Sequence, residues 1–394
     1  MLSLDGAPFL TLLAIITLAL FAGVIVLWPR LGGSGVKPVA GRVGLFAVAQ
    51  LSALALFAAL VNADFEFYAS WSDLFGTLHP KNTITMAQPS PVAAVASAGG
   101  NVSAVPGGPS GRNTALVVDG KGGSALLGGS DPKKYGQIQY VKITGPRSGL
   151  TQNVQIYLPP QYFQPKYENL RFPAALVPSG FPGSADEMST RLRFPARLLA
   201  GIQDGADRPV VLIMLTPMIV SGRDTECTDV PGGPQALTFW VEDIPTAVQS
   251  AYRVQSGARY WGVVGDSTGG YCAVKIPMLY SDRFAAGASI SGYFAALQDS
   301  TTGTLYGDSQ DVRNENDLMW RIRHLPSPPV SLFLTASRQG DENYSATMQF
   351  VGLAKPPTLI TTDISDIGGH NFNTWYNDVP DALKWLTNTL APAQ

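Results

Sequence analysis

The sequence has few histidines, few cysteines and few charged residues. Its 394 residues include three histidines and two cysteines, and no group of them has the spacing of a zinc site. Charged residues make up 14% of the chain and the net charge is −2, which gives no basic surface for nucleic acid. There is no internal repeat and no phosphate-binding loop. These shortages predict a protein without metal, cofactor or nucleic-acid partner, and they leave few groups for acid–base catalysis.

Two uncharged segments near the N-terminus account for part of the low charge. Residues 8–28 and 43–63 are each about 20 residues long, which is enough to cross the hydrocarbon core of a membrane as a helix. A cleaved signal peptide is the alternative for the first segment. It lacks a basic n-region, however, and a second apolar segment follows at once. We therefore predict a membrane anchor with two transmembrane helices within residues 1–75.

The basic residues between the two segments predict how the anchor is oriented. Arg30, Lys37 and Arg42 lie between the segments, with no acidic residue among them. Loops rich in Lys and Arg stay on the cytoplasmic side of a membrane. The sequence therefore predicts a multi-pass anchor in a bacterial cell membrane, with everything after residue 64 outside the cytoplasm.

The composition changes twice after the anchor. Residues 76–134 are mostly rich in Ala, Gly, Pro and Ser, so this segment buries too little apolar surface to fold alone and is predicted to be a flexible linker. Buried strand patterns such as Val210 to Leu215 then alternate with helix patterns such as Glu242 to Tyr252. This alternation predicts an α/β domain over residues 135–394 with a mainly parallel central sheet.

The most informative motif is Gly265-Asp-Ser-Thr-Gly269. A strand pattern precedes it and a helix pattern follows it, as in the nucleophile elbow of α/β-hydrolases. A serine hydroxyl on such a turn, above a helix N-terminus, suits attack on a carbonyl group and stabilisation of the oxyanion that forms. The motif therefore predicts that Ser267 is the nucleophile of a hydrolase or an acyltransferase.

The order of groups along the chain restricts the choice of catalytic base. A chymotrypsin-like protease needs its base and acid upstream of the serine, where His79 is the only histidine and lies outside any folded pattern. An α/β-hydrolase needs its acid and then its histidine downstream. His324 and His370 both follow Ser267. His370 is preferred because it lies in a glycine-flanked loop before a predicted helix from Val379.

The acid is expected in the loop after the predicted strand Val330 to Thr335. Asp341 and Glu342 are the only carboxylates of that loop. A negative charge there would hold the imidazole in the correct tautomer and stabilise the imidazolium that forms. Spacing alone does not choose between the two neighbours, so both are candidates.

Several motifs, taken in order, resemble the esterase D family, which includes S-formylglutathione hydrolases and the secreted mycolyltransferases. The resemblance covers residues from about 150 to 390 and implies an α/β-hydrolase fold with carboxylic-ester hydrolase activity. The matching segments, besides the elbow, are Val154–Pro160, Leu176–Gly183, Leu237–Pro245, Ser281–Phe284 and Gly368–Phe372.

The resemblance also implies roles for particular residues. The family's acid lies about two residues before an aromatic residue, and this favours Glu342 over Asp341 as the acid. The family's two oxyanion-hole donors correspond to the backbone N–H groups of Phe181 and Thr268. The loop around Phe181 reads Val-Pro-Ser-Gly-Phe-Pro, whereas many relatives have a histidine or an aspartate before the glycine.

The two cysteines are Cys227 and Cys272. In an oxidising compartment, two cysteines without others nearby are a candidate disulfide. The alternative is two separate buried thiols.

These patterns together predict a membrane-anchored, extracytoplasmic serine esterase that hydrolyses acyl esters through Ser267, Glu342 and His370. Its partners would be small acyl esters or the lipids and glycans of the cell envelope. The alternative is a mycolyltransferase-like acyltransferase that moves an acyl chain onto an envelope glycan or lipid. A third hypothesis, a non-catalytic envelope-binding module, fits less well because the serine–acid–histidine order is intact. The sequence leaves the oligomeric state open.

Overall fold

A computed structural model describes residue 4 and residues 6–65, 67–68, 70–77, 80–86 and 115–394. His79 and residues 87–114 of the predicted linker lie outside this described part. The chain divides into two compact units. The first unit comprises residues 1–81, 337–342 and 365–374, and the second comprises residues 82–336, 343–364 and 375–394.

The described α-helices include two long ones near the N-terminus and many shorter ones. In chain order they are α1 (Ala7–Leu27), α2 (Val36–Phe65), α3 (Trp71–Leu74), α4 (Ser124–Leu127), α5 (Pro132–Tyr135), α6 (Ala185–Thr190), α7 (Phe194–Gln203), α8 (Ala236–Thr238), α9 (Ile244–Ala251), α10 (Thr268–Leu279), α11 (Gln310–Asn316), α12 (Leu318–His324), α13 (Tyr344–Leu353) and α14 (Phe372–Thr389).

The strands form a single ten-stranded sheet with the order β1-β10-β9-β8-β7-β5-β6-β4-β3-β2. The strands are β1 (Asn82–Met86), β2 (Ala115–Gly122), β3 (Gln137–Thr144), β4 (Thr151–Leu158), β5 (Ala174–Pro178), β6 (Val211–Leu215), β7 (Trp261–Asp266), β8 (Ala286–Ile290), β9 (Ser331–Ser337) and β10 (Leu359–Ser365).

The middle of the sheet is parallel and one side of it is antiparallel. Neighbouring strands pair in parallel from β6 through β5, β7 and β8 to β9. The strands β4, β3 and β2 continue the sheet in antiparallel pairs. Every residue of β5, β6, β7 and β8 is buried, because parallel strands in the middle of a sheet are covered on both faces. The predicted α/β-hydrolase fold with a mainly parallel sheet is confirmed.

The first unit contains the two apolar helices, α1 and α2. They are joined by a short connection, and the hydroxyl groups of Thr17 and Ser52 lie 2.7 Å apart between them. Most of their large apolar side chains are exposed, including Leu18 at 70% and Ile25 at 75%. Ala7–Leu27 and Val36–Ala63 are long and apolar enough to cross a membrane. The second helix begins seven residues earlier than the predicted segment 43–63, so the basic Lys37 and Arg42 belong to its first turns.

The predicted flexible linker is too wide. Of residues 76–134, the segments 82–86 and 115–122 form the strands β1 and β2, and α4 and α5 follow them. β2 pairs with β3 from Ala115 opposite Thr144 to Gly122 opposite Ile138. The side chains of residues 116–122 are exposed or only partly buried, but backbone hydrogen bonds to β3 hold β2 in place. Composition alone did not reveal these edge strands.

Candidate active site

Ser267 lies on a tight turn between β7 and α10. Its backbone has φ 51° and ψ −118°, a conformation that side-chain-bearing residues rarely adopt. A Cβ atom on Gly265 or Gly269 would lie 2.4 or 2.1 Å from the backbone oxygen of Pro178, so only glycine fits on either side. The turn therefore has the geometry of a nucleophile elbow, which presents the serine at the carboxyl end of a strand.

The loop after β5 packs against this turn. A Cβ atom on Gly180 would lie 2.9 Å from the Cβ of Ser267, so the loop backbone is in contact with the serine. The backbone N–H of Gly180 donates to Asp266 Oδ2 at 3.2 Å. Burial raises the pKa of Asp266 to about 7. The side chain next to the nucleophile thus holds in place the loop that carries Phe181, the first predicted oxyanion donor.

Thr268, the second predicted oxyanion donor, is the first residue of α10 and is buried. Its hydroxyl donates to Asp224 Oδ2 at 3.2 Å and lies 3.0 Å from the hydroxyl of Tyr293. Tyr293 in turn donates to both carboxylate oxygens of Glu226, at 2.6 and 2.7 Å. Burial raises the pKa of Glu226 well above its usual range. A buried polar network therefore fixes the residue that follows the nucleophile.

A disulfide joins Cys227 to Cys272, with the two Cα atoms 6.1 Å apart. It connects the loop after β6 to the helix α10. Lys275 strengthens this connection, since its buried ammonium group donates to the backbone oxygens of Glu226 and Cys227 and to the hydroxyl of Thr228, at 2.9–3.1 Å. Burial lowers the pKa of Lys275 to about 7. The loop 224–228 is thus fastened to the helix that carries the nucleophile.

The two loops that carry the predicted acid and base belong to the first unit and bond directly to each other. Ser337 Oγ lies 2.6 Å from Ser365 Oγ, and the backbone N–H of Arg338 donates to the backbone oxygen of Ser365 at 3.0 Å. The backbone N–H of Gly368 donates to the backbone oxygen of Gln339 at 3.0 Å. These bonds hold residues 337–342, called here the acid loop, beside residues 365–371, called here the histidine loop.

Within the acid loop the two carboxylates differ in their surroundings. Asp341 is partly buried, and its Oδ2 accepts a hydrogen bond from the backbone N–H of Ser337 at 3.2 Å. Glu342 is exposed. An acid that orients a catalytic histidine is a buried, hydrogen-bonded group. These surroundings favour Asp341, which the sequence resemblance had placed second.

His370 is partly buried in the histidine loop, and this burial lowers the pKa of its imidazole to about 4. The imidazole is therefore neutral at physiological pH, which is the form that accepts a proton. His324, the other downstream histidine, is exposed at the end of α12, and its ring stacks on Trp320. The surroundings of His324 are those of a surface residue.

The histidine loop is also bonded to the segment that follows α2. The side-chain amide of Asn371 donates to Asp73 Oδ2 at 2.9 Å and to the backbone oxygen of Phe67. Asn373 Nδ2 donates to the backbone oxygen of Asp73 at 2.8 Å. Farther along, Lys81 and Asp366 exchange two hydrogen bonds of 3.0 and 3.1 Å. Phe67, Asp73 and Lys81 therefore support the histidine loop directly.

The structure thus brings the predicted residues together in two groups. Ser267, Thr268 and the loop of Phe181 are neighbours in the second unit. The acid loop and His370 are neighbours in the first unit. Among the residues that the structure describes, no cluster of three or more His, Cys, Asp or Glu side chains is arranged to hold a metal ion.

Several residues that support these two groups have no clear signal in the sequence. Asp266 lies inside the elbow motif, but the motif leaves its second position open. Glu226 and Lys275 carry no motif. Asp73 follows the predicted anchor, and its partner Asn371 directly follows His370. Only the position of Asn371 beside the predicted base could have drawn attention to it.

The chain is similar in sequence and in fold to known proteins. A family described as "Putative esterase" matches residues 147–354. A Corynebacterium glutamicum protein, "Uncharacterized protein Cgl0967/cg1104", is 23% identical over 273 residues, which are 65% of this chain and 63% of that protein. The chain thus matches less than two thirds of the length of this relative.

Solved structures share the fold at low sequence identity. A ferulic acid esterase is 16% identical with a TM-score of 0.53, and the match covers 64% of this chain and 98% of that one. An S-formylglutathione hydrolase from Agrobacterium tumefaciens is 14% identical with a TM-score of 0.53, covering 65% and 96%. The serine hydrolase FphF from Staphylococcus aureus is 16% identical with the same score, covering 64% and 99%.

The fold and the nucleophile elbow define an α/β-hydrolase. Because the family match covers more than half of the chain, the protein belongs to the esterase family. The resemblance to esterase D-like proteins predicted from the motifs is confirmed.

Proposed function

We propose that this protein is a membrane-anchored serine esterase that hydrolyses carboxylic acyl esters. The observation that carries the proposal is the position of Ser267, on a strained glycine-flanked turn beside the Gly180–Phe181 loop, in a chain of the esterase family. A strained backbone at a buried serine is typical of a nucleophile elbow, where the turn directs the serine hydroxyl toward the substrate.

In the proposed mechanism Ser267 Oγ attacks the ester carbonyl carbon while His370 takes its proton. The backbone N–H groups of Phe181 and Thr268 stabilise the oxyanion. The leaving alcohol receives the proton from His370, and an acyl-enzyme remains. Water, deprotonated by the same histidine, then releases the acid and frees the serine. Asp341 is proposed to orient the imidazole because it is the more buried of the two candidate acids, with Glu342 as the alternative.

We also propose where the catalytic domain lies, on the basis of the two apolar helices. The lengths of α1 and α2 and their exposed apolar side chains support insertion in a bacterial cell membrane. Arg30 in the connection between them, with Lys37 and Arg42 in the first turns of α2, supports a cytoplasmic position for this connection. The catalytic domain would then lie outside the cytoplasm. Protease treatment of intact spheroplasts with a tag at Gln394 tests this, since a tag that is protected until the membrane is permeabilised would overturn the location.

A fluorophosphonate probe tests the nucleophile directly. The wild-type protein is expected to react and to hydrolyse p-nitrophenyl butyrate, whereas Ser267→Ala should neither react nor hydrolyse. Ser250→Ala, at an exposed serine of α9, is the matched control and should behave as the wild type. Labelling that persists in Ser267→Ala would refute the assignment.

The acyltransferase alternative differs in how the acyl-enzyme is resolved. A hydroxyl of an envelope glycan or lipid would replace water as the acceptor. Product analysis after incubation with envelope extracts separates the two, because transfer gives an acylated glycan or lipid and hydrolysis gives a free acid.

A further inference from the structure

The first unit contains an apolar cavity at the end of the anchor. Its volume is about 390 Å³, within the range of small-molecule binding sites. Residues from the start of α1, the last turns of α2 and the segment after α2 line it. The lining includes Phe9 and Leu13 of α1, Ala59 of α2, and Phe67, Trp71 and Leu74 after α2.

The helix α2 makes this cavity possible by presenting small side chains to it. Ala55, Ala58 and Ala59 line one wall and follow the spacing of one helix face. The only side chain in the lining with an amide is Asn62, and both of its polar atoms already bond the backbone of Tyr68, at 2.8 and 3.1 Å. The lining therefore offers almost wholly apolar contact.

The part of the lining that follows α2 is connected to the histidine loop. Phe67, Trp71 and Leu74 line the cavity, and they belong to the same short segment as Asp73. The backbone oxygen of Phe67 and the carboxylate of Asp73 accept the two hydrogen bonds that the side-chain nitrogen of Asn371, the residue after His370, donates. One short segment thus contacts the cavity on one side and supports the proposed base on the other.

We infer that this cavity binds the acyl chain of the ester substrate. The inference rests on the proposed function and narrows its substrate class to membrane lipid esters with long acyl chains. A saturated chain matches an almost wholly apolar lining, and the proposed anchor places the cavity where such chains are present. The segment that lines the cavity also bonds to the histidine loop through Phe67 and Asp73. An acyl chain in the cavity would therefore contact the segment that supports the proposed catalytic base.

Filling the cavity tests the inference in the full-length protein in detergent micelles. Ala59→Phe places a ring into the cavity, and Ala47→Phe places the same ring on an exposed part of α2 away from it. The ratio of kcat/KM for p-nitrophenyl palmitate to that for p-nitrophenyl butyrate is measured for each. We expect Ala59→Phe to lower this ratio at least about tenfold, the effect of a steric change of one or two carbon atoms in an apolar pocket. Ala47→Phe should leave it as in the wild type.

A second readout does not depend on catalysis. A palmitoyl ester with a photoactivatable group in its chain should label the peptide that contains Trp71 in the wild type and in Ala47→Phe, and much less in Ala59→Phe. Equal labelling of all three, or a palmitate-to-butyrate ratio that does not change in Ala59→Phe, would overturn the acyl-chain site. If the wild type hydrolyses neither ester, the proposed function fails, and the labelling still decides whether the cavity binds an acyl chain.

Discussion

The side-chain amide of Asn371 donates to the carboxylate of Asp73 at 2.9 Å, across 298 residues of sequence. Both side chains are buried, Asn371 at 7% exposure and Asp73 at 0%. Asp73 lies in the first turn of α3, which Ser70 caps by accepting from its backbone N–H at 3.1 Å. The bond therefore joins a short helix that follows the anchor to the residue next to the proposed catalytic base.

Removal of the Asp73 carboxylate should impair catalysis through the histidine loop. In Asp73→Ala, one N–H of the buried Asn371 amide loses its acceptor, a change that costs about 1–3 kcal/mol. We expect kcat for short p-nitrophenyl esters to fall, with KM little changed, because the base is displaced while the substrate site is not. Steady-state kinetics and the thermal unfolding midpoint measure the two effects.

Asp73→Asn is the matched control because its amide oxygen still accepts from Asn371. It should retain most of the wild-type kcat. If Asp73→Ala lost stability but kept the wild-type kcat, the bond would support only the fold and not the position of His370.

The acid loop gives a prediction that separates its two carboxylates. Asp341→Asn should lower kcat by about 10³–10⁴-fold, the effect of removing the orienting acid in a serine triad, whereas Glu342→Gln should change it little. The physical reason is the partial burial and hydrogen bonding of Asp341 against the exposure of Glu342. Hydrolysis of p-nitrophenyl acetate measures both variants. If Glu342→Gln lowered kcat far more than Asp341→Asn did, Glu342 would be the acid, as the family pattern indicates.

The sequence was sufficient to predict those elements that depend on local patterns. The apolar run before Ser267 became β7, and the predicted strand from Val210 became β6, starting one residue later. Both strands are buried on both faces, so an unbroken apolar run was a reliable signal. The elbow was predictable because its glycines are required, since a Cβ atom on either one would lie 2.4 Å or less from the backbone oxygen of Pro178.

Elements that depend on distant partners could not be predicted in this way. The last helix was expected from Val379, where an apolar pattern begins just before Pro380. In the structure α14 begins at Phe372, because Asn371 Oδ1 accepts from the backbone N–H groups of Asn373 and Thr374 at 2.8 and 3.1 Å. The bond of Asn371 to Asp73 likewise joins residues that no local pattern connects. The support of the proposed base was therefore beyond the reach of sequence patterns.

The partly buried imidazole of His370 predicts an unusual pH dependence. Burial lowers the pKa of this imidazole from its ordinary value near 6.5 to about 4. The imidazole therefore stays neutral, and able to accept a proton, at pH values well below 6.5. The acid limb of the kcat/KM profile for a neutral ester should therefore have its midpoint near pH 4, and activity at pH 5.5 should be close to that at pH 7.

A second buried group, Asp266, titrates within the pH range over which this profile is measured, so it needs a control. The pKa of Asp266 is raised to about 7, and Asp266→Asn removes this titration while keeping an acceptor for the N–H of Gly180. The acid limb near pH 4 should persist in Asp266→Asn. A midpoint near pH 6.5 in both proteins would show that the imidazole titrates as an exposed histidine does.

The disulfide should stabilise the loop that fixes Thr268, and its loss should be measurable without loss of the fold. Cys227 and Cys272 are 45 residues apart, and the chain-entropy relation gives an upper value of about 4 kcal/mol for a loop of this length. The double variant Cys227→Ala/Cys272→Ala should therefore unfold at a lower urea concentration. Its free energy of unfolding should be lower than that of the wild type by up to this value. The three hydrogen bonds of Lys275 to residues 226–228 remain and should keep the loop near α10.

Reduced wild-type protein is the matched control and should unfold like the double variant. Alkylation before reduction, followed by mass spectrometry, should find neither thiol modified in protein from intact membranes, and two modified thiols there would contradict the bond.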